Sequence, residues 1–161
     1  MTDIGVSTID DLLRLLHQRQ GDFAGEGLNH EGEQFNGRLR LSSVAEGAGI
    51  LLTFDARSLD GQVCFHTEHS LIARDDSGTL VLWHLGSNLG FLTPHRLSAV
   101  EPGQRYAFRY GDPAGQGFAE EISLTFEEAR IGYWFAWGRP GSPFGPRSSV
   151  LMSPAEPPEI R

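Results

Sequence analysis

The sequence predicts an all-β fold, a closed antiparallel up-and-down β-barrel of about ten strands preceded by one N-terminal helix. Three observations carry this reading. Only one segment spaces its apolar residues as a helix does. After it, short runs with strand alternation follow one another at nearly even intervals, joined by turn-length connections, and closing the sheet spares such a chain two exposed edges. The chain also holds 20 glycines in 161 residues, well above the usual share of about 7%, which suits tight turns and a strongly curved sheet.

The helix is expected over Ser7–Gln20, STIDDLLRLLHQRQ, where Ile9, Leu12, Leu13 and Leu16 recur on one face. Ser7 with Asp10 resembles a capping box, and Gly21 follows as a stop. One apolar face is enough to plug an end of a barrel. His17, at the edge of that face, reads as a solvent-facing or capping residue.

Phe23–Asn36 reads as one long strand that Gly25, Gly27 and Gly32 allow to bend sharply. Its GxG precedes no helix and lacks a third glycine, so it is a poor dinucleotide loop. Gly37–Val44 and Gly49–Arg57 follow as an antiparallel pair around Ala45–Ala48, and Ile50, Leu52, Phe54 and Ala56 make one wholly apolar face.

The centre of the chain is the stretch Asp60–Leu97, which holds four of the six histidines. Gln62–Arg74 and Thr79–Leu85 are rich in strand-forming residues, and Asp75-Asp76-Ser77-Gly78 supplies a turn between them. Alternation places Cys64, His66, Glu68, Ser70 and Ile72 on one face of the first strand, and Leu80, Leu82 and His84 on one face of the second. If those faces point inward, the interior is a partly polar pocket. His69 falls on the opposite face. Leu85–His95, LGSNLGFLTPH, is either a loop over the barrel mouth or the start of the next strand, with His95 on a turn after Pro94.

Arg105–Gly111 alternates Tyr106, Phe108 and Tyr110 against Arg105, Ala107 and Arg109, so the aromatic face should be buried. In Phe118–Phe126 the apolar stripe of Phe118, Ile122, Leu124 and Phe126 also carries Glu120, while Glu121, Ser123 and Thr125 look solvent-facing. Ile131, Tyr133, Phe135 and Trp137 alternate with Gly132, Trp134 and Ala136, apolar on both sides. Gly138–Pro146 reads as an irregular loop because of its three prolines and three glycines, with Phe144 at the centre of a second candidate lid. A last strand runs from Arg147 to Met152. Residues 1–152 are thus expected to form one domain, and 153–161 a disordered tail.

Composition narrows the function. A net charge of −8 with no basic run opposes a nucleic-acid backbone. All 13 basic residues are arginine, which removes Schiff-base lysines and P-loop lysines. One cysteine, Cys64, excludes an internal disulfide and a Cys-cluster metal site. No run approaches the roughly 18 apolar residues of a membrane span, and the acidic start MTDIGVSTIDD is unlike an export signal. A cytoplasmic protein without a nucleic-acid partner is expected, and a homodimer is compatible with the sequence.

A family resemblance rests on GDFAGEG from Gly21 to Gly27 after a helix, on the His66-x-Glu68 pair after a glycine-containing turn, and on Ile72-Ala73-Arg74 followed by Gly78 and a second hydrophobic strand. In these features, over residues 12–95 and a final strand ending in Met152, the chain resembles the small calycin-like barrels of the nitrobindin type, related in fold to fatty-acid-binding proteins and lipocalins. The resemblance implies an inward His66 beside a hydrophobic cavity. In haem-binding members a further histidine near the C-terminus ligates iron. This sequence has no histidine beyond His95, and its final segment offers only Met152 as an axial ligand.

The function expected first is a non-catalytic barrel for a hydrophobic or amphipathic, fatty-acid-like molecule. Phe54, Phe108, Tyr133 and Trp137 would line the cavity, His66, Glu68, His84 and Glu120 would hold a polar group, and Arg147 would meet a carboxylate. A haem-binding protein of the nitrobindin type is one alternative, and an enzyme using a buried Glu–His acid–base pair, without a GxSxG elbow or HExxH helix to support it, is another. His66, Glu68 and His84 also have the donor types of a zinc or iron site.

Overall fold

Chain order becomes spatial order in this molecule, because every connection is short enough to join neighbours. A computed structural model describes residues 6–159, with side chains described from Asp10 onward. Helix α1 (Val6–Gln18) precedes ten strands: β1 (Gly21–Asn29), β2 (Gln34–Val44), β3 (Gly49–Arg57), β4 (Cys64–Arg74), β5 (Leu80–Gly86), β6 (Leu92–Glu101), β7 (Arg105–Tyr110), β8 (Ala119–Glu127), β9 (Arg130–Arg139) and β10 (Ser142–Pro154). Each strand pairs antiparallel with its predecessor, and β1 pairs with β10 as well, from Phe23 opposite Pro154 to Asn29 opposite Ser148. The sheet closes into the expected up-and-down barrel.

Alternation sends one face of each strand inward. Ile50, Leu52, Phe54 and Ala56 of β3, Tyr106 and Phe108 of β7, and Ile122, Leu124 and Phe126 of β8 are all buried. Leu12 and Leu16 of α1 join the same core with no exposed surface, each contributing about 1.5–3 kcal/mol of burial. Asp10 pairs with Arg74 at the end of β4, and the His17 Nε2–H donates to the Gly47 carbonyl at 3.1 Å. The helix therefore stoppers the end where β2 turns into β3 and β4 into β5. The expected cap at Ser7, and Ile9, lie outside the described side chains.

Several local expectations are corrected. Phe23–Asn36 is two strands, β1 and the start of β2, because Asn29 builds a turn: its Oδ1 accepts the Glu31 N–H at 3.0 Å and the Glu33 N–H at 2.9 Å, and Gly32 takes φ +80°. Asn29→Ala is expected to cost about 1 kcal/mol, read as a lower urea midpoint at unchanged slope. Gly138–Pro146 is also largely strand. β9 runs to Arg139 and β10 starts at Ser142, with register shifts between Ser142 and Gly145 and between Pro146 and Ser148 that absorb the prolines.

Cys64 is exposed rather than inward, because β4 is bulged at Phe65, the extra residue between His66 opposite Ala56 and Cys64 opposite Arg57, and the alternation breaks there. Ser123 is buried on the outer face of β8, beneath Arg105, whose Nη2 donates to it at 3.3 Å and to Glu121 at 3.1 Å. At the C-terminus, Ser153 and Pro154 still pair with β1, and the Ala155 N–H donates to the Asp22 carbonyl at 2.8 Å.

Candidate functional site

The end of the barrel opposite α1 is built from different residues. There β4 supplies His66, Glu68 and Ser70 at alternate positions. Ser70 stands opposite His84 of β5, and His84 opposite Thr93 of β6. Glu120 of β8 and Tyr133 of β9 approach from the far wall. Gly86, opposite Glu68, makes room: a Cβ there would lie 2.7 Å from His84 Nε2 and 3.0 Å from His66 Cε1.

These groups form one buried network. Glu68, 2% exposed, receives the Tyr133 hydroxyl on Oε1, with Ser70 Oγ 3.4 Å from the same oxygen. Its Oε2 lies 3.0 Å from His66 Nε2 and 3.6 Å from His84 Nδ1. Ser70 Oγ is 3.1 Å from that same Nδ1. On the other side of the His84 ring, Nε2 is 3.6 Å from Glu120 Oε1, which His95 Nε2 meets at 2.9 Å. The network thus runs Tyr133–Glu68–His84–Glu120–His95, with His66 on Glu68.

Burial sets the electrostatics. It holds the His84 imidazole below its ordinary pKa, against the pull of Glu68 and Glu120, while His95 and His66 add to the lowering. His84 is therefore a neutral hydrogen-bonding or ligating group near neutral pH. Burial first, and then Glu68, pushes the Tyr133 hydroxyl well above its ordinary value, so Tyr133 stays a donor. Tyr133→Phe leaves Glu68 with one donor fewer on Oε1 and is expected to cost about 1–3 kcal/mol, read by thermal unfolding.

Above the network lies a cavity of about 430 Å³, in the size range of small-molecule sites, about 300–1,000 Å³. His66, His84 and Glu120 form its floor, Phe54, Phe135 and Trp137 its apolar walls, and Arg147 and Arg139 stand at its rim. Arg147 is held in place there. Its guanidinium carbon is 4.1 Å from the Trp137 ring centroid, Nε–H donates to the Trp137 carbonyl at 3.1 Å, and Nη2 donates to Pro143 and Ser142. That arrangement commits Nε and Nη2 and leaves Nη1 for a ligand.

Of the residues expected at the site, Phe54, His66, His84, Glu120, Trp137 and Arg147 border the cavity. Glu68 and Tyr133 lie one layer beneath it, and Phe108 is a fully buried core residue. His69 is exposed on the outer face. His95 is no turn residue: it stands in β6, wholly buried on Glu120. β6 registers with β7 only from Arg96 onward, so a proline at 94 has no partner on that side to disrupt. His30 and Phe135 are further wall residues.

Of the two candidate lids, the first is a tight turn in which the Gly90 N–H donates to the Gly86 carbonyl at 3.0 Å, and Asn88 and Leu89 border the cavity. Phe144, the centre of the second, instead packs over Gly138 beside Arg109. Met152, the one axial ligand the C-terminal segment offers a haem, is wholly buried in the core and borders no part of the cavity. The residues present do not fit a haem held from the last strand. His66, Glu68 and His84 can instead bring one ligand atom each within 4.8 Å of one another.

Fold and site together define a ten-stranded up-and-down β-barrel with a ligand-sized cavity over a His/Glu floor. Among solved structures, the fold is similar to that in the crystal structure of Rv2717c from M. tuberculosis, at 13% sequence identity and a TM-score of 0.66, over 89% of this chain and 97% of that one. At this identity the likeness is one of fold. No family model and no curated protein matches the sequence. Among the described residues, no helix is long and apolar enough to cross a membrane.

Proposed function

We propose that the barrel binds one small amphipathic molecule of fatty-acid type, as the nitrobindin and fatty-acid-binding branch of calycin-like barrels suggests. The observation that carries this reading is the cavity of about 430 Å³, apolar on its walls and polar at both ends. Phe54, Phe135 and Trp137 take the apolar body. Charge decides the orientation. The floor carries Glu120, with Glu68 beneath it, and no arginine, so without a bound cation it repels an anion and suits a hydroxyl or other donor. The free Nη1 of Arg147 favours a carboxylate at the mouth.

Displacement of a fluorescent anilinonaphthalene sulfonate by dodecanoate, and separately by dodecanol, tests this. Dodecanoate should bind with one-to-one stoichiometry, and Arg147→Gln should weaken it by about tenfold, the equivalent of about 1.4 kcal/mol, while leaving dodecanol unchanged. Equal effects on both, or none, would remove the carboxylate from the mouth. A general acid–base enzyme is the second reading, favoured by the neutral His84 set between Glu68 and Glu120. Its mark is a change in mass of a cavity-bound compound on incubation, abolished by His84→Gln.

A further inference from the structure

The polar floor has a geometry that an organic ligand does not require. One oxygen, Glu68 Oε2, faces two imidazole nitrogens at once, His66 Nε2 at 3.0 Å and His84 Nδ1 at 3.6 Å. Ligand atoms around a tetrahedral zinc, with bonds of about 2.0–2.1 Å, stand about 3.3 Å apart. The two observed separations bracket that value. The other oxygen of Glu68 is occupied by the Tyr133 hydroxyl, which aims Oε2 at the two rings, while Ser70 Oγ, 3.1 Å from His84 Nδ1, must turn away when that nitrogen takes a cation.

The surroundings are those of a metal ligand set as well. His84 presents Nδ1 to Glu68 and Nε2 to Glu120, which is itself held by His95 at 2.9 Å. A carboxylate behind an imidazole places the ring proton on the far nitrogen and leaves the near lone pair for a metal. Charge balance points the same way. Glu68 and Glu120 are buried together, and among the described residues every arginine ion pair lies elsewhere, on Asp10, Asp11, Asp22, Asp75, Glu101, Glu121 or Glu127. Buried carboxylates without a cation are costly.

We infer that His66 Nε2, Glu68 Oε2 and His84 Nδ1 bind one divalent cation of the zinc type, with a fourth position open to the cavity. Glu120 and His95 are positioning residues for His84. The inference does not rest on the fatty-acid reading, since metal uptake is measured with no organic ligand present.

The test uses full-length protein stripped with chelator and titrated with cobalt(II) chloride alone, then with zinc sulfate, following cobalt visible absorption and zinc retained after gel filtration. One cation per chain is expected, with zinc displacing cobalt. Glu68→Gln and His66→Ala should each weaken uptake by more than about 100-fold, and Glu120→Gln by about 10–100-fold. His69→Ala, on the outer face, should leave it unchanged. Circular dichroism verifies folding of each variant, and His66→Ala, at the cavity floor, decides alone if Glu68→Gln does not fold. Absence of stoichiometric uptake, or uptake that survives His66→Ala and Glu68→Gln, overturns the inference.

Discussion

Phe108→Ala is expected to destabilise the fold by about 3–5 kcal/mol while leaving dodecanoate affinity within about twofold. Phe108 is wholly buried in the core shared with Tyr106, Ile122 and the α1 leucines, and it does not border the cavity. Its truncation opens a void that the closed sheet cannot collapse around. Trp137→Ala should do the reverse. Trp137 forms part of the cavity wall and carries Arg147 on its face, so its loss removes ligand contacts and the seat of the rim guanidinium. Its expected signature is at least a tenfold weaker dodecanoate complex with a smaller loss of stability, about 1–2 kcal/mol. Urea unfolding and probe displacement on the two variants read both quantities. Similar profiles for the two would mean that core and wall are not separate layers.

The second large effect is expected at the seam where the barrel closes. In Gly25 of β1, a Cβ would stand 2.2 Å from the Leu151 carbonyl oxygen of β10. The oxygen belongs to the backbone and the Cβ is fixed directly to it, so neither can rotate away, and the two strands must part to admit a methyl group. Gly25→Ala should cost about 3 kcal/mol, at the upper end of overpacking effects. It should also raise amide exchange along β1 and β10 more than along β4 and β5. Uniform exchange around the barrel would show that β1 and β10 do not form its weakest closure.

The contrast between Phe108 and Trp137 shows what the sequence could and could not convey. Period-two alternation tells which face of a strand is inward, and it placed His66, Glu68, His84 and Glu120 on inward faces. It does not tell how far along the barrel axis each residue lies. That depends on the stagger between strands, which only closure sets. Phe108 and Tyr133 were therefore indistinguishable from Trp137 as lining residues, although they lie below the cavity.

Other differences have equally local causes. A bulge opposite Arg57 undid the alternation that would have turned Cys64 inward. Pro94 disguised the strand that carries His95, because a proline can occupy a strand where one neighbour is missing. The signal that could have found His95 was the alternation of Thr93, His95 and Leu97 around that proline. The hairpin from β4 to β5 was legible because Asp75 supplies the turn: its side chain accepts the Ser77 and Thr79 N–H groups at 3.0 Å each, and Gly78 takes φ +83°. The contact between Glu120 and His95, 25 residues apart in sequence, has no counterpart in any local pattern.

The central claim, that the barrel encloses a single ligand above the His/Glu floor, is tested most directly by native mass spectrometry of the full chain with added dodecanoate. Ala56 of β3 borders the cavity and stands opposite His66, so Ala56→Trp should fill the space without disturbing the helix-stoppered core. The account predicts one dodecanoate per wild-type chain, released on denaturation and absent from Ala56→Trp. No adduct on the wild type, or the same adduct on Ala56→Trp, would contradict it.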